Sequence, residues 1–328
     1  MNSKLNSRYL QRFMIIGILL VLCVVFAVMS KEFFTYVNIR NILRQQSMVA
    51  ITAAGATFVM ITTGLDISVG STIALSGVVF AKLVQGGMPL LPACLIAILV
   101  GGIVGLINAS MIVGAKINPV IATLGSMYAV RGIAYLVAGG TTIANGLPKS
   151  FNVLGRGYIG PIPIPVVIMI LVYIVFHFVL SRTLLGKYTY AIGGNKETAR
   201  LSGISVPKVM VSLYAITGLL TGLSGTIMAS RLTSGNPQIG TGFEFDVIIA
   251  VFLGGVSTTG GEGTIVGTFI GAMIVGVLSN GLNLLGVDPF YQYIIKGIVL
   301  VLAVMLDMAL KGNGLSFKSF NKRILAKS

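Results

Sequence analysis

From Leu91 to Val113 not one side chain carries a charge. As a helix, a run of about 20 apolar residues matches the roughly 30 Å hydrocarbon core of a bilayer. Similar stretches recur at about 13–30, 46–63, 67–85, 118–138, 163–180, 209–230, 243–257, 263–285 and 291–310. They are continuous rather than alternating, which favours helices over the strands of a closed barrel. Charged residues make up 9% of the 328 and apolar residues 55%, whereas a soluble domain carries about 25% charged residues. The sequence therefore predicts an all-α polytopic membrane bundle of about ten transmembrane helices, some short or broken, in a single domain over residues 1–328.

A net charge of +15 would suit a nucleic-acid binder, but the charges are dispersed among apolar spans and their sidedness accounts for them better. Cytoplasmic loops collect lysine and arginine. With the N-terminus inside, Lys4, Arg8 and Arg12 in the segment 1–12, Lys116, the residues of a polar island at 181–208, and the lysines of a tail at 311–328 all fall on one side. Both termini are then expected in the cytoplasm. Residues 13–29 have no small-residue cleavage site before Lys31 and read as a signal anchor. The outer loops are short except 139–162. With no tryptophan in the chain, tyrosine and phenylalanine are expected to anchor the interfaces.

The island at 181–208 is the main interruption. Within it Asn195 suits an N-cap, Glu197 the first helical turn and Arg200 the last, where the helix dipole favours each charge. Gly203 suits the left-handed residue that stops a helix, and Pro207 the start of the next. Residues 195–202 are therefore read as a short helix between two membrane spans, with Ala199 and Ser202 leaving room for a partner surface.

Polar residues in the spans form a second group. Asp66, Asp246 and Glu262 lie at or within spans and Glu244 nearby, where an ionisable group needs a partner, a cavity or a pathway. Asp66 reads either as a cap for the helix beginning near Ile67, with Ser68, or as a residue of the translocation path. Glu262 reads as a cap near Gly263, and Arg131 as a possible partner for one of these acids. Asn108, Asn280 and Asn283 are candidates for the path as well, because an amide both donates and accepts, as carbohydrate hydroxyls require. The stretches 62–66 (Thr-Thr-Gly-Leu-Asp) and 258–262 (Thr-Thr-Gly-Gly-Glu) are weakly similar, a pattern of repeats with broken helices. Glycines such as Gly101, Gly102 and Gly105, or Gly267, Gly271 and Gly276, suit close helix packing. Cys23 and Cys94 read as packing residues, as does His177. There is no phosphate-binding G-x-x-x-x-G-K-[ST] loop, no H-E-x-x-H and no G-x-S-x-G elbow, so an enzyme is not expected, nor a metal site.

At four places the residues become specific. Gly193-Gly194-Asn195-Lys196-Glu197-Thr198-Ala199-Arg200-Leu201-Ser202-Gly203-Ile204, Gly64-Leu65-Asp66-Ile67-Ser68-Val69-Gly70-Ser71, the glycine motif from Leu253 to Thr268, and Asn280-Gly281-Leu282-Asn283-Leu284-Leu285-Gly286-Val287 stand in order. Together they resemble the ribose-type permease subunits of bacterial ABC sugar importers, a group that includes allose, xylose, galactose and autoinducer permeases. The similarity covers roughly residues 30–308. It implies a plasma-membrane permease for ribose or a related monosaccharide, paired with a second permease subunit. ATP-binding cassette subunits would carry ATP and Mg, and an extracytoplasmic sugar-binding protein would deliver substrate. The chain itself would bind no cofactor and no nucleic acid. Gly194, Asn195, Glu197, Ala199, Arg200, Ser202 and Gly203 would form the coupling helix that fits the ATPase. The resembled family fixes no acid at the position of Glu262. An ion-gradient-driven transporter of a small polar solute is the alternative reading, but it leaves the polar island unexplained.

Overall fold

The computed structural model describes residues 2–310; the tail read at 311–328 lies outside the described residues. The elements in order are α1 (Asn2–Met29), α2 (Tyr36–Ile61), α3 (Val69–Gln85), α4 (Leu90–Ala109, continued by a π-turn at Ser110–Gly114), α5 (Pro119–Ala138), α6 (Val153–Arg156), the hairpin β1 (Tyr158–Ile159) and β2 (Ile162–Pro163), α7 (Ile164–Arg182), α8 (Leu184–Gly194), α9 (Lys196–Leu201), α10 (Val206–Leu232), α11 (Phe243–Leu253), α12 (Ile265–Leu284) and α13 (Pro289–Leu310). Each of the ten apolar stretches lies on a helix. By length and composition, α4 with its π-turn, α5, α7, α10 and α12 can cross a membrane, and Met14–Met29, α3 and Pro289–Met305 are shorter apolar helices. α11 is shorter still at 11 residues.

α10 and α2 form the centre. α10 packs on α4, α2 and α3, and α2 packs on α12, α7 and α11. Apolar side chains cover the outside instead of being hidden, among them Leu136 on α5, Phe178 on α7 and Leu302 on α13. A helix surface of this kind needs lipid or another apolar protein against it.

Helices in lipid gain nothing from burying leucine against leucine, so close packing depends on small residues. α4 and α10 show why. A Cβ on Gly105 would lie 2.2 Å from the Tyr214 carbonyl oxygen, one on Gly101 2.4 Å from that of Gly218, and one on Gly218 2.3 Å from that of Gly101. The two backbones touch. α11 and α12 meet in the same way, with Gly271 against the Ala250 carbonyl and Gly267 against that of Gly254. The glycine faces seen in the sequence are therefore used inside one chain. Hydroxyl pairs add to this: Thr52 donates to Ser224 at 2.9 Å, and Thr57 and Thr268 share a hydrogen bond of 2.7 Å.

The connections sort to two ends. At one end Gly193, at the end of α8, fits between the Ile61 carbonyl and the backbone of Gly261, and Gly261 N–H donates to the Ile61 oxygen at 2.9 Å. At the other end Ile143 and Gly235 pair as an isolated bridge, and the Arg156 guanidinium holds the Arg231 carbonyl. The similar stretches 62–66 and 258–262 both lie at the first end and meet there: a Cβ on Gly260 would lie 2.5 Å from Thr63 Cγ2.

Gly105→Val forces α4 away from α10, and overpacking of this kind costs about 1–3 kcal/mol or more. The expected outcome is a strongly reduced yield of monodisperse protein in size-exclusion chromatography. Gly132→Ala, where an added Cβ meets nothing within 4 Å, should leave that yield unchanged.

Candidate functional site

The polar island folds into two helices, not one. α8 occupies 184–194, a region read as loop, and begins with Thr183 accepting from the Gly186 N–H. Apolar Leu185 and Ile192 draw α8 onto the bundle core, so the helix is fixed by its packing. Asn195 then breaks the chain with an extended backbone (φ −159°, ψ 111°), and its side-chain oxygen accepts from the Thr198 N–H at 2.9 Å. α9 follows at 196–201, ends at Ser202, and is stopped by Gly203 at φ +83°. The Gly203 and Ile204 N–H groups satisfy the carbonyls of Arg200 and Ala199 at 3.0 and 3.1 Å. Within the island the expected cap and stop are both present, and Pro207 stands in the first turn of α10.

The outward face differs from expectation. Ala199, read as a contact for a partner, is 3% exposed and packs into the chain's own core. Its small side chain lets α9 lie close to the bundle. Leu201, which drew no attention in the sequence, is 74% exposed. Glu197 and Arg200 also face out and pair at 2.5 Å. The arginine holds the Glu197 carboxyl below the ordinary glutamate range. Asn195, Gly194, Ser202 and Gly203 are exposed as well. α9 thus presents polar groups around one apolar knob, on a helix tied through Gly193 to the end of α2 and the loop leading into α12.

Beside this end lies a buried polar junction. Asp66 is 7% and Asn108 0% exposed. Asp66 Oδ1 accepts from the Ser68 N–H at 2.9 Å and from its hydroxyl at 2.6 Å. Asn108 donates to Ser68 Oγ at 2.9 Å and accepts from the Ser126 hydroxyl at 2.5 Å. Asp66 lies three residues before α3 and is not its N-cap, which is Ser68; it holds Ser68 by these two bonds, and the network ties the start of α3 to α4 and α5. Asn280 and Asn283 are elsewhere, at the opposite end of the bundle. Asn280 and Asn38 exchange hydrogen bonds of 2.8 and 2.9 Å, and exposed Asn283 accepts from Gln292 at 2.8 Å.

Arg131 donates to the carbonyls of Pro237 and Ile239 at 2.7 and 2.6 Å, and its charge also acts on the Glu244 carboxylate, one of the acids expected to need a partner. Asp246 pairs with Lys296 of α13 at 2.8 Å, a partner about fifty positions away that no spacing rule links. Contrary to the sequence reading, Glu262 is not the N-cap of α12: the helix starts at Ile265, two residues past Gly263, and Thr264 caps it by accepting from the Gly267 N–H at 3.0 Å. A cavity of about 630 Å³ lies beside that loop, lined by Ile15, His177, Tyr190, Glu262 and Thr264 among others. No cluster of three or more metal-ligating side chains occurs among the described residues.

The fold is a membrane-type bundle locked by glycines, with an exposed capped helix at one end. Residues 38–304 match the family described as branched-chain amino acid transport system, permease component, and the chain belongs to that family. It is 43% identical over 292 residues to the ribose import permease protein RbsC of Escherichia coli K12, covering 88% of this chain and 91% of that protein. It is 42% identical to RbsC of Bacillus subtilis, covering 88% and 90%. It is 37% identical to the L-arabinose permease AraH of Azospirillum brasilense, covering 89% and 86%. No solved structure matches the chain. Family and apolar helices together make it a multi-pass membrane protein.

Removing the cap with Asn195→Ala should destabilise α9 by about 1 kcal/mol. Amide hydrogen exchange should then be faster at residues 196–201 and unchanged in α10.

Proposed function

We propose that the chain is the permease subunit of an ATP-driven importer that carries a monosaccharide, ribose or a close relative, into the cytoplasm. The reading draws on the sugars in its relatives' names, ribose and arabinose, and on D-allose for a third relative at 36% identity. The observation that carries the mechanism is α9, an exposed six-residue helix welded to the bundle on its inner side.

On this reading two copies of the chain form the pathway. ATP-binding cassette subunits, holding ATP and Mg, grip α9 from the cytosol, and an extracytoplasmic sugar-binding protein delivers substrate at the far end. Both termini are cytoplasmic. No cofactor is assigned to the chain and no ATPase site, so its part is mechanical. When nucleotide closes the partner dimer, α9 is displaced. The push passes through Gly193 to the Ile61 carbonyl and Gly261, which end α2 and lead into α12. Transport follows if the nucleotide-bound partner favours one of two arrangements of these helices. Asp66 and Asn108 enter the path indirectly, by holding the start of α3 in register with α4 and α5. Asn280 and Asn283 are proposed for the far end, where delivery occurs.

The test is reconstitution in liposomes with a candidate ATP-binding cassette subunit and sugar-binding protein, followed by uptake of labelled ribose, arabinose and allose. ATP-dependent accumulation that survives an uncoupler is expected; uptake without the ATPase that collapses with the uncoupler would establish gradient-driven transport instead. Glu197→Arg or Arg200→Glu should lower ATP-driven uptake about tenfold or more, as reversed charge at an interface costs several kcal/mol, with insertion unchanged. Leu201→Asp should weaken co-purification of the ATPase to a similar degree.

A further inference from the structure

The end of the bundle opposite α9 gathers four arginines: Arg40 and Arg44 of α2, Arg156 at the end of α6 and Arg231 in the last turn of α10. The Arg40 guanidinium lies 4.2 Å from the centre of the Tyr158 ring and 4.9 Å from that of Tyr36. Arg44 lies 4.9 Å from the same Tyr158 ring and donates to its phenol oxygen. Arg156 Nε donates to the Arg231 carbonyl at 2.7 Å, and Arg231 is within electrostatic reach of both Arg44 and Arg156. None of the four has a carboxylate within 4.0 Å among the described residues. The Nε atoms of Arg40 and Arg44 are buried and unpaired.

Like charges this close repel, and a desolvated N–H without an acceptor costs about 1–3 kcal/mol. Each arginine by itself has an ordinary explanation, such as stacking on tyrosine or the negative end of a helix. Four together, with no carboxylate beside them among the described residues, carry charge that an anion offsets through N–H groups other than the two sealed Nε atoms. A phosphate matches the guanidinium fork, and arginine binds it in bidentate fashion.

The surroundings say which anion. Tyr36 and Tyr158 are the amphipathic residues that sit at headgroup level. Arg40 and Arg44 lie about one to three turns inside α2 from Thr35, roughly 8–14 Å along its axis. Next to them the hairpin exposes Tyr158, Ile159 and Ile162. The ligand must therefore be negative at one point and apolar beside it. We propose that Arg40, Arg44, Arg156 and Arg231 form a binding site for the phosphate of an anionic phospholipid, in the leaflet away from the coupling segment. The acyl region then lies against the hairpin. The site requires only that the chain is in a membrane and does not depend on the transport reading.

The full-length protein, purified in detergent, is titrated with equal amounts of phosphatidylglycerol and phosphatidylcholine and followed by native mass spectrometry. Wild type should retain phosphatidylglycerol with a preference of about tenfold or more, since each basic residue near a membrane adds roughly fivefold. Arg40→Gln with Arg44→Gln should abolish the preference, and Arg44→Lys should keep part of it. Exposed Arg156→Gln, which spares the stacked pair, should lower it severalfold without loss of monodispersity. No preference in wild type, or the same preference in a monodisperse double variant, overturns the site. Displacement of the lipid by millimolar inorganic phosphate overturns the assignment to lipid in favour of a soluble anion. If the variants lose binding of an acidic soluble delivery protein while lipid preference is untouched, the cluster is a protein-docking surface and the proposal fails.

Discussion

Contact between the backbones of α4 and α10 is the constraint on which the rest of this structure depends. In lipid, side-chain burial draws helices together weakly, so proximity must come from small residues that let main chains touch. Gly101 and Gly105 against Gly218 and Tyr214 achieve this. Because α10 is held there, it can also reach α2 and α3, and the hydroxyl pair Thr52–Ser224 forms between α2 and α10. A rigid centre of this sort transmits displacement; a loosely packed bundle would absorb it.

The segment carrying α9 is built on the same principle. Gly193 lies against the Ile61 and Gly261 backbones, and Ala199 sits beneath α9, so neither leaves slack between the exposed helix and the membrane spans. The exposed Glu197–Arg200 pair contributes little to stability in water, since such pairs are screened and cost side-chain entropy. Its position on the outward face suits recognition better. The buried Asp66–Ser68–Asn108–Ser126 network has the opposite character: its bonds lie out of water and hold the start of α3 to α4 and α5.

Much of this was legible in order of sequence. The ten apolar stretches, the Asn195 cap, the Gly203 stop and the Pro207 start all depend on a residue and its near neighbours, and all are present. Asp66 with Ser68 is local for the same reason. α8 escaped notice because its 184–194 stretch is polar enough to resemble a loop, and only burial of Leu185 and Ile192 reveals a helix. Ala199 was placed on the wrong face: helical periodicity says which residues share a side, not which side meets the bundle. Glu262 and Thr264 are both polar residues just before an apolar run, and only the backbone fixes that Thr264 is the cap.

The sequence by itself determined the solvent, the helical class and the capped segment between two spans, because hydropathy and capping act over one or a few turns. Tertiary structure alone decided the partners: Asp246 with Lys296, Arg131 with two carbonyls and the charge of Glu244, Gly193 with Ile61 and Gly261, and Arg40 and Arg44 with Tyr158. Each joins residues tens of positions apart or more, and such distances are set by how helices cross, which no single segment encodes.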